Sequence, residues 1–225
     1  MKKSSLNEVH LLVISVLFVL LATSCKKDND ESTVTDIDGN VYNTVAIGSQ
    51  VWLKENLKTT KFKDGAAIPN VTSDSEWGSI NTPGFCWYDN DQASNKNKYG
   101  ALYNWYTVNT GKLCPEGWRV PGASDWTELI DELGGETVVA NKLKSTTGWY
   151  ENGNGTNESG FTGVPAGYRY SNAAFWGVTK NTHWWTANEA DGSNANSVGL
   201  EYDPDEIYLN PDGKTLGFSV RCIKN

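Results

Sequence analysis

Residues 114–133 read CPEGWRVPGASDWTELIDEL. Trp126, Leu129, Ile130 and Leu133 recur at i, i+3, i+4 and i+7, with Asp125, Glu128, Asp131 and Glu132 between them. That spacing draws one apolar stripe along a helix and leaves carboxylates on its other faces. Such a helix must lay its stripe on a second layer. Pro121 holds the residue before it in extended backbone, and Gly122 can serve as a modest N-cap. Asp125, three positions on, can accept a hydrogen bond at the helix start and complement its dipole. Gly134 and Gly135 stop the helix.

Outward from that helix, KYGALYNWYTV at 98–108 predicts a second one, with Tyr99, Leu102, Tyr103 and Tyr106 sharing a face and Trp105 beside them. A shorter third helix is expected from Glu136 to Lys144, with Val139 and Leu143 inward. From Val41 to Phe62 the pattern is strand-like, and Gly48-Ser49 supplies the turn of a β-hairpin with a trailing extended segment. Residues 63–82 predict a polar loop with at most one helical turn around Ser73 to Gly78. Phe85 to Tyr88 reads as a short strand or packed aromatic knot. Asp36-Ile37-Asp38-Gly39-Asn40 begins like a calcium loop but lacks the later ligands and the closing glutamate, so it reads as a turn into a strand. Beyond Gly148 the chain is rich in Gly and Asn and studded with short apolar pieces at 161–164, 168–170, 183–186, 197–200 and 218–221. These predict a small antiparallel sheet joined by long loops. The expected class is α+β, with two to three short helices packed on small antiparallel sheets and with long aromatic and Gly/Asn-rich loops.

The N-terminus reads as an address. Lys2 and Lys3 precede an apolar run from Leu11 to Ala22, the length of a signal-peptide core and too short for a secure membrane span. The run ends in Leu21-Ala22-Thr23-Ser24-Cys25, which resembles a bacterial lipobox with Ala22 in place of the usual leucine. Residues 1–24 are therefore expected to be a lipoprotein signal peptide, with Cys25 as the acylated residue. Residues 25–34 are expected to be an acidic tether, and 35–225 a single domain. The charged run after Cys25 resembles the export tag that sends many Bacteroidota lipoproteins to the outer face of the outer membrane, and a periplasm-facing position is the alternative.

Loss of residues 1–24 removes Lys2, Lys3 and Glu8 and moves the formal charge from −8 to −9. An acidic chain without lysines clustered among aromatics does not predict nucleic-acid binding. In an oxidising compartment Cys86, Cys114 and Cys222 predict one disulfide and one leftover thiol, with three pairings open.

Six segments resemble the Fibrobacter succinogenes major paralogous domain, a family of secreted and lipoprotein domains. They are QVWLKENLKTTKFKDG at 50–65, YGALYNWYTV at 99–108, CPEGWRVP at 114–121 with DW at 125–126, GFTGVPAGYR at 160–169, HWWTANE at 183–189 and GFSVRC at 217–222. They span nearly the whole mature chain in the family's order. The family usually has Thr or Ser where this chain has Gly122, which weakens the helix cap. The layout also resembles the C-type lectin-like fold, in particular its branch of formylglycine-generating sulfatase modifiers. That likeness implies a terminal strand returning beside the N-terminal part of the domain, a Cys114–Cys222 disulfide and a free Cys86.

The residues do not support the enzyme branch's chemistry, because its mechanism uses a cysteine pair near the C-terminus and only Cys222 stands there. The mature chain has one histidine, His183, which excludes a two-histidine zinc site and reads as a packed side chain rather than a base. Carboxylate pairs such as Glu189/Asp191 and Asp203/Asp205/Glu206 leave a hydrolase as the lesser alternative. No cofactor is expected. Asp203-Pro204-Asp205 and Trp87 to Asp91 only echo a lectin's calcium site, and loop carboxylates leave room for a structural calcium. With ten tryptophans and ten tyrosines, aromatics in turn-rich surroundings are the ligand-binding candidates: Trp149, Tyr150, Trp176 and Tyr202, with Asp203 and Asp205. The expected function is a lipid-anchored, non-catalytic binding or adhesion module for carbohydrate or a cell-surface protein. The alternative is a structural cell-envelope lipoprotein.

Overall fold

A computed structural model describes residues 32–203 and 206–225. The signal peptide, Cys25 and Asp205 lie outside the described residues, as does the tether up to residue 31. In chain order the elements are β1 Thr33–Thr35, β2 Val41–Ile47, β3 Gln50–Leu53, α1 Asp74–Trp77, β4 Phe85–Cys86, α2 Gln92–Tyr99, β5 Leu102–Tyr103 and α3 Trp105–Val108. They continue as β6 Trp118–Arg119, α4 Ala123–Glu132, α5 Glu136–Leu143, β7 Ala166–Arg169, β8 Phe175–Val178, β9 Asn181–Glu189, β10 Asn194–Glu201, β11 Ile207–Gly213 and β12 Ile223–Lys224. The class is α+β. No helix among the described residues is long and apolar enough to cross a membrane.

The first sheet has the order β1-β2-β3-β12-β6, so the C-terminal strand lies between the early hairpin and the strand before α4. The hairpin turns at Gly48-Ser49, with Ile47 opposite Gln50. β1 pairs with β2, which places Thr33 and Val34 in the sheet. The second sheet has the order β11-β10-β9-β7-β8, and β4 pairs with β5 alone.

α4 forms where its stripe predicts. Trp126, Leu129 and Ile130 are buried, and Trp126 packs against Trp52 of the first sheet at 4.9 Å and Trp184 of the second at 5.6 Å between ring centroids. Phe161 closes this cluster. Gly122 has no side chain to cap the helix, and Asp125 supplies the cap by accepting from the Gly122 N–H at 2.6 Å. The Arg119 guanidinium holds the same carboxylate with two bonds, 2.6 and 2.8 Å, and this lowers the Asp125 pKa. α1 is the single helical turn expected near Ser73, capped by the Ser73 hydroxyl. α5 also forms, with Val139, Ala140 and Leu143 inward.

The helix expected over 98–108 is not continuous. α2 ends at Tyr99, Gly100 turns the chain with φ +79° and ψ −167°, β5 follows, and α3 starts again at Trp105 under an Asn104 cap. The reason is contact: a Cβ on Gly100 would meet Asn56 Cβ at 2.7 Å and the Leu57 carbonyl at 2.8 Å. The second sheet also differs from expectation. β7 runs parallel to β9, and β9, β10 and β11 are long strands joined by short connections. Residues 161–164 contribute only a bridge at Gly163. Gly217, Phe218 and Ser219 bridge Arg169, Tyr103 and Trp184 in turn, so the 218–221 segment stitches strands together and belongs to none.

Two buried arginines hold these layers. Arg221 donates to the carbonyls of Leu53 at 3.0 Å and Phe161 at 2.6 Å, and twice to Asn56 Oδ1. Arg169 donates to Val71 O at 2.7 Å and pairs with Asp74 at 2.9 Å, its guanidinium stacked on Trp77. Cys114 and Cys222 form the expected disulfide, and Cys86 is free and buried, its thiol pushed up to about 12 by that burial.

Candidate functional site

β-strand pairing builds one row of side chains across the second sheet. Trp176 on β8 pairs with Tyr168 on β7. Gly167 pairs with Thr182 in parallel register, which sets Tyr168 beside His183, ring to ring at 5.2 Å. His183 pairs with Gly199 on β10, and Gly199 pairs with Tyr208 on β11. Side chains an even number of residues apart on a strand share a face, so Glu201, two from Gly199, and Asp212, four from Tyr208, lie on the side of this row, and Tyr170 follows Tyr168 just past the end of β7. Tyr170 lies at 4.9 Å from Tyr168. Trp176 is 61% exposed and Tyr170 42%, while Tyr168, His183 and Tyr208 are half-buried.

The glycine in the row has a specific use. The His183 ring lies across Gly199, and a Cβ there would meet its Cε1 and Nδ1 at 2.8 Å. The imidazole stacks on Phe218 at 4.8 Å, and burial holds its pKa down to about 4. It is therefore neutral at physiological pH. Tyr168 rises above the usual phenol range, first through burial and then through its bond with Tyr170, with the Glu201 and Asp212 charges adding to it.

Two carboxyl groups on this face carry raised pKa values. Burial raises Glu201 against the opposing hydrogen bond from Asn181 and the Lys144 charge. Burial raises Asp212 against the Ser197 hydroxyl, which donates to it at 2.6 Å. Aromatic planes flanked by half-buried acceptors can hold a ligand that has both an apolar face and hydroxyl donors. Among the described residues no three His, Cys, Asp or Glu side chains converge as a metal ion needs.

The residues expected from the sequence fall in different places. Trp176 lies in the row. Tyr150 and Tyr202 meet edge to face at 5.4 Å, with Lys180 4.7 Å above the Tyr150 ring, and the exposed Asp203 follows Tyr202. That pair sits at the far end of β10, and Tyr202 packs toward the core cluster around α4. Trp149 is buried, its indole N–H donating to Gly163 O at 3.1 Å. Of the ten tryptophans, nine are buried and Trp176 alone is exposed. Sequence reading missed Tyr168, Tyr170, His183, Tyr208, Glu201 and Asp212 as a group. The two-residue spacing of Tyr168 and Tyr170 was the one local signal that both share a face.

No curated protein and no solved structure matches this chain. The sequence profile of the Fibrobacter succinogenes major domain matches residues 45–224. That span takes in the second sheet, the first sheet from the middle of β2 onward, the disulfide and the whole aromatic row, and the chain belongs to the Fibrobacter succinogenes major domain family.

Proposed function

We propose that this chain is a non-catalytic binding or adhesion module of C-type lectin-like fold, anchored through lipidated Cys25 to the outer membrane and displayed outside the cytoplasm. Its first-choice ligand is carbohydrate, held on the face of β7 to β11. The return of the C-terminal strand between the early hairpin and β6, closed by the disulfide, supports the lectin-like reading. The observation that carries the ligand reading is the row from Trp176 through Tyr168 and His183 to Tyr208. A chain that buries nine tryptophans exposes the tenth on this row. Glu201 and Asp212 beside it are carboxylates kept at a cost in stability, as binding sites often are. His183 is stacked on Phe218 with its pKa held down to about 4, which makes it a weak base and favours recognition over hydrolysis.

The structural envelope role is the second reading, favoured by Trp149, a turn-rich aromatic that packs inward. A titration decides between them. The full chain is mixed with a panel of neutral polysaccharides, with calcium and then with chelator, following tryptophan fluorescence and heat. Saturable binding abolished by Trp176→Ala is expected. Heat and fluorescence unchanged across the whole panel would overturn the carbohydrate reading and leave a protein partner or the envelope role.

A further inference from the structure

The chain is acidic, with 27 Asp and Glu against 19 Lys and Arg. One cleft reverses that balance. Lys54, Lys58, Lys96, Lys98 and Arg221 all line it, with Glu55 as the one acid. Glu55 is turned to the neighbouring strand, where its two oxygens accept from the Asn43 backbone N–H at 2.8 Å and side-chain amide at 2.7 Å. Lys58, Lys96 and Lys98 make no ion pair among the described residues.

The walls are built, not incidental. One is the segment after β3 and the other the last turn of α2. They are tied by Asn56 Nδ2 donating to Tyr99 O at 2.9 Å, by the Ala101 N–H donating to Leu57 O at 2.9 Å, and by the close seat of Gly100. Three of the four ammonium groups lie over an aromatic ring: Lys58 at 5.8 Å from Tyr42, Lys96 at 6.0 Å from Trp87 and Lys98 at 4.6 Å from Tyr99. Lys58 also donates to Asn97 Oδ1 across the cleft at 3.2 Å. Rings and amides restrain long side chains that would otherwise lose entropy on binding. Lysines in the last turn of a helix complement its dipole, which accounts for Lys96 and Lys98 alone. It does not account for Lys58, which comes from another part of the chain and faces the same space.

We propose that this cleft binds one tetrahedral oxyanion, a phosphate or sulfate group, free or carried as an ester. The cleft holds about 60 Å³. One water needs roughly 10–15 Å³, so the space suits one such group with any ester substituent outside. The site is separate from the aromatic row and does not depend on the ligand of that row.

The test titrates the full chain calorimetrically with inorganic phosphate, inorganic sulfate, glucose 6-phosphate, glucose 6-sulfate and glucose, at low and at physiological salt. Binding of the esters is expected, weakened by salt and weakened about tenfold or more, a loss of about 1.4 kcal/mol, in Lys96→Gln/Lys98→Gln. Lys58→Gln, which lies outside α2, should show the same direction, and Lys63→Gln, outside the cleft, no change. Circular dichroism checks that each variant keeps its fold. Esters binding tighter than the inorganic ions support the ester as the source. Inorganic ions binding as tightly as the esters support the free oxyanion as the source. No heat with any of the four anions, or affinity unchanged in both cleft variants, overturns the site. Loss of neutral-glycan binding in Trp176→Ala reports on the row alone, so the two proposals fail separately.

Discussion

Replacing Gly100 by alanine tests why the expected long helix is broken. Gly100 has φ +79° and ψ −167°, a region open almost only to glycine, and holding another residue there costs about 1–3 kcal/mol. The added Cβ would also press on Asn56 Cβ at 2.7 Å and on the Leu57 carbonyl at 2.8 Å. Backbone cannot swing aside as a side-chain tip can, so overpacking adds about 1–3 kcal/mol. Together these give about 2–6 kcal/mol, which for a domain of this size lowers Tm by roughly 4–24 °C. Gly111→Ala is the control, because its φ of +66° carries backbone strain but nothing lies within 4 Å of its Cβ. Urea and thermal unfolding of both variants separate the two contributions. Gly100→Ala must lose clearly more than Gly111→Ala. Equal losses would refute the packing argument, and a Gly100→Ala protein as stable as the parent would refute the break itself.

Cys222→Ser opens a loop with a sequence separation of 108, and a cost of about 2–5 kcal/mol in urea unfolding is expected. Asp125→Asn weakens both the cap and the Arg119 pair, with about 0.5–2 kcal/mol lost at neutral pH. The folded Asp125 pKa is depressed, so its contribution is complete above the unfolded value of about 3.9 and fades as pH falls below it. The parent and Asp125→Asn curves should converge in acid. Asp212→Asn has the opposite sign: its folded pKa is raised, so at neutral pH the variant should be as stable as the parent or better, by less than about 1 kcal/mol after solvent screening. That difference should vanish below about pH 4, where the carboxyl is protonated in both states. Trp176→Ala should move stability by less than about 0.5 kcal/mol, since an exposed ring holds little of the fold together.

How much of this could be read in the chain follows from which contacts are local. α4 was legible because its partners at i, i+3 and i+4 carry the stripe within one helix. α2 was not, since QASNKNKY has no apolar period and buries only Tyr99. It forms through its ends, an Asp91 side chain accepting from the Ser94 N–H and Gly100 turning away. The break at Gly100 is set by Asn56 and Leu57, far away in sequence, so the aromatic spacing of 98–108 pointed to a helix that tertiary contact forbids. The lysines of the cleft were invisible for the same reason: residues 54–58 and 96–98 become neighbours only after that contact is made.

The aromatic row shows the same logic at the surface. Trp176, Tyr168, His183, Gly199 and Tyr208 lie on five strands, and nothing in their local surroundings joins them. What joins them is register, and a one-residue slip of β7 against β9 would send Tyr168 to the opposite face and break the row. Register here is held from below. Gly217 bridges Arg169 of β7, and Ser219, two residues on, bridges Trp184 of β9, so one rigid segment measures both strands against each other. That segment is in turn fixed by Arg221 to Leu53 and Phe161, and by Cys222 to Cys114. The buried arginine and the disulfide therefore act on the exposed face without touching it. Loss of either should loosen the Tyr168–His183 contact before it unfolds the first sheet, since β2 and β3 keep their own hairpin pairing. Hydrogen exchange at the amides of β7 and β9 in Cys222→Ser should accelerate more than at β2 and β3. Uniform acceleration across both sheets would show that the segment sets overall stability and not register.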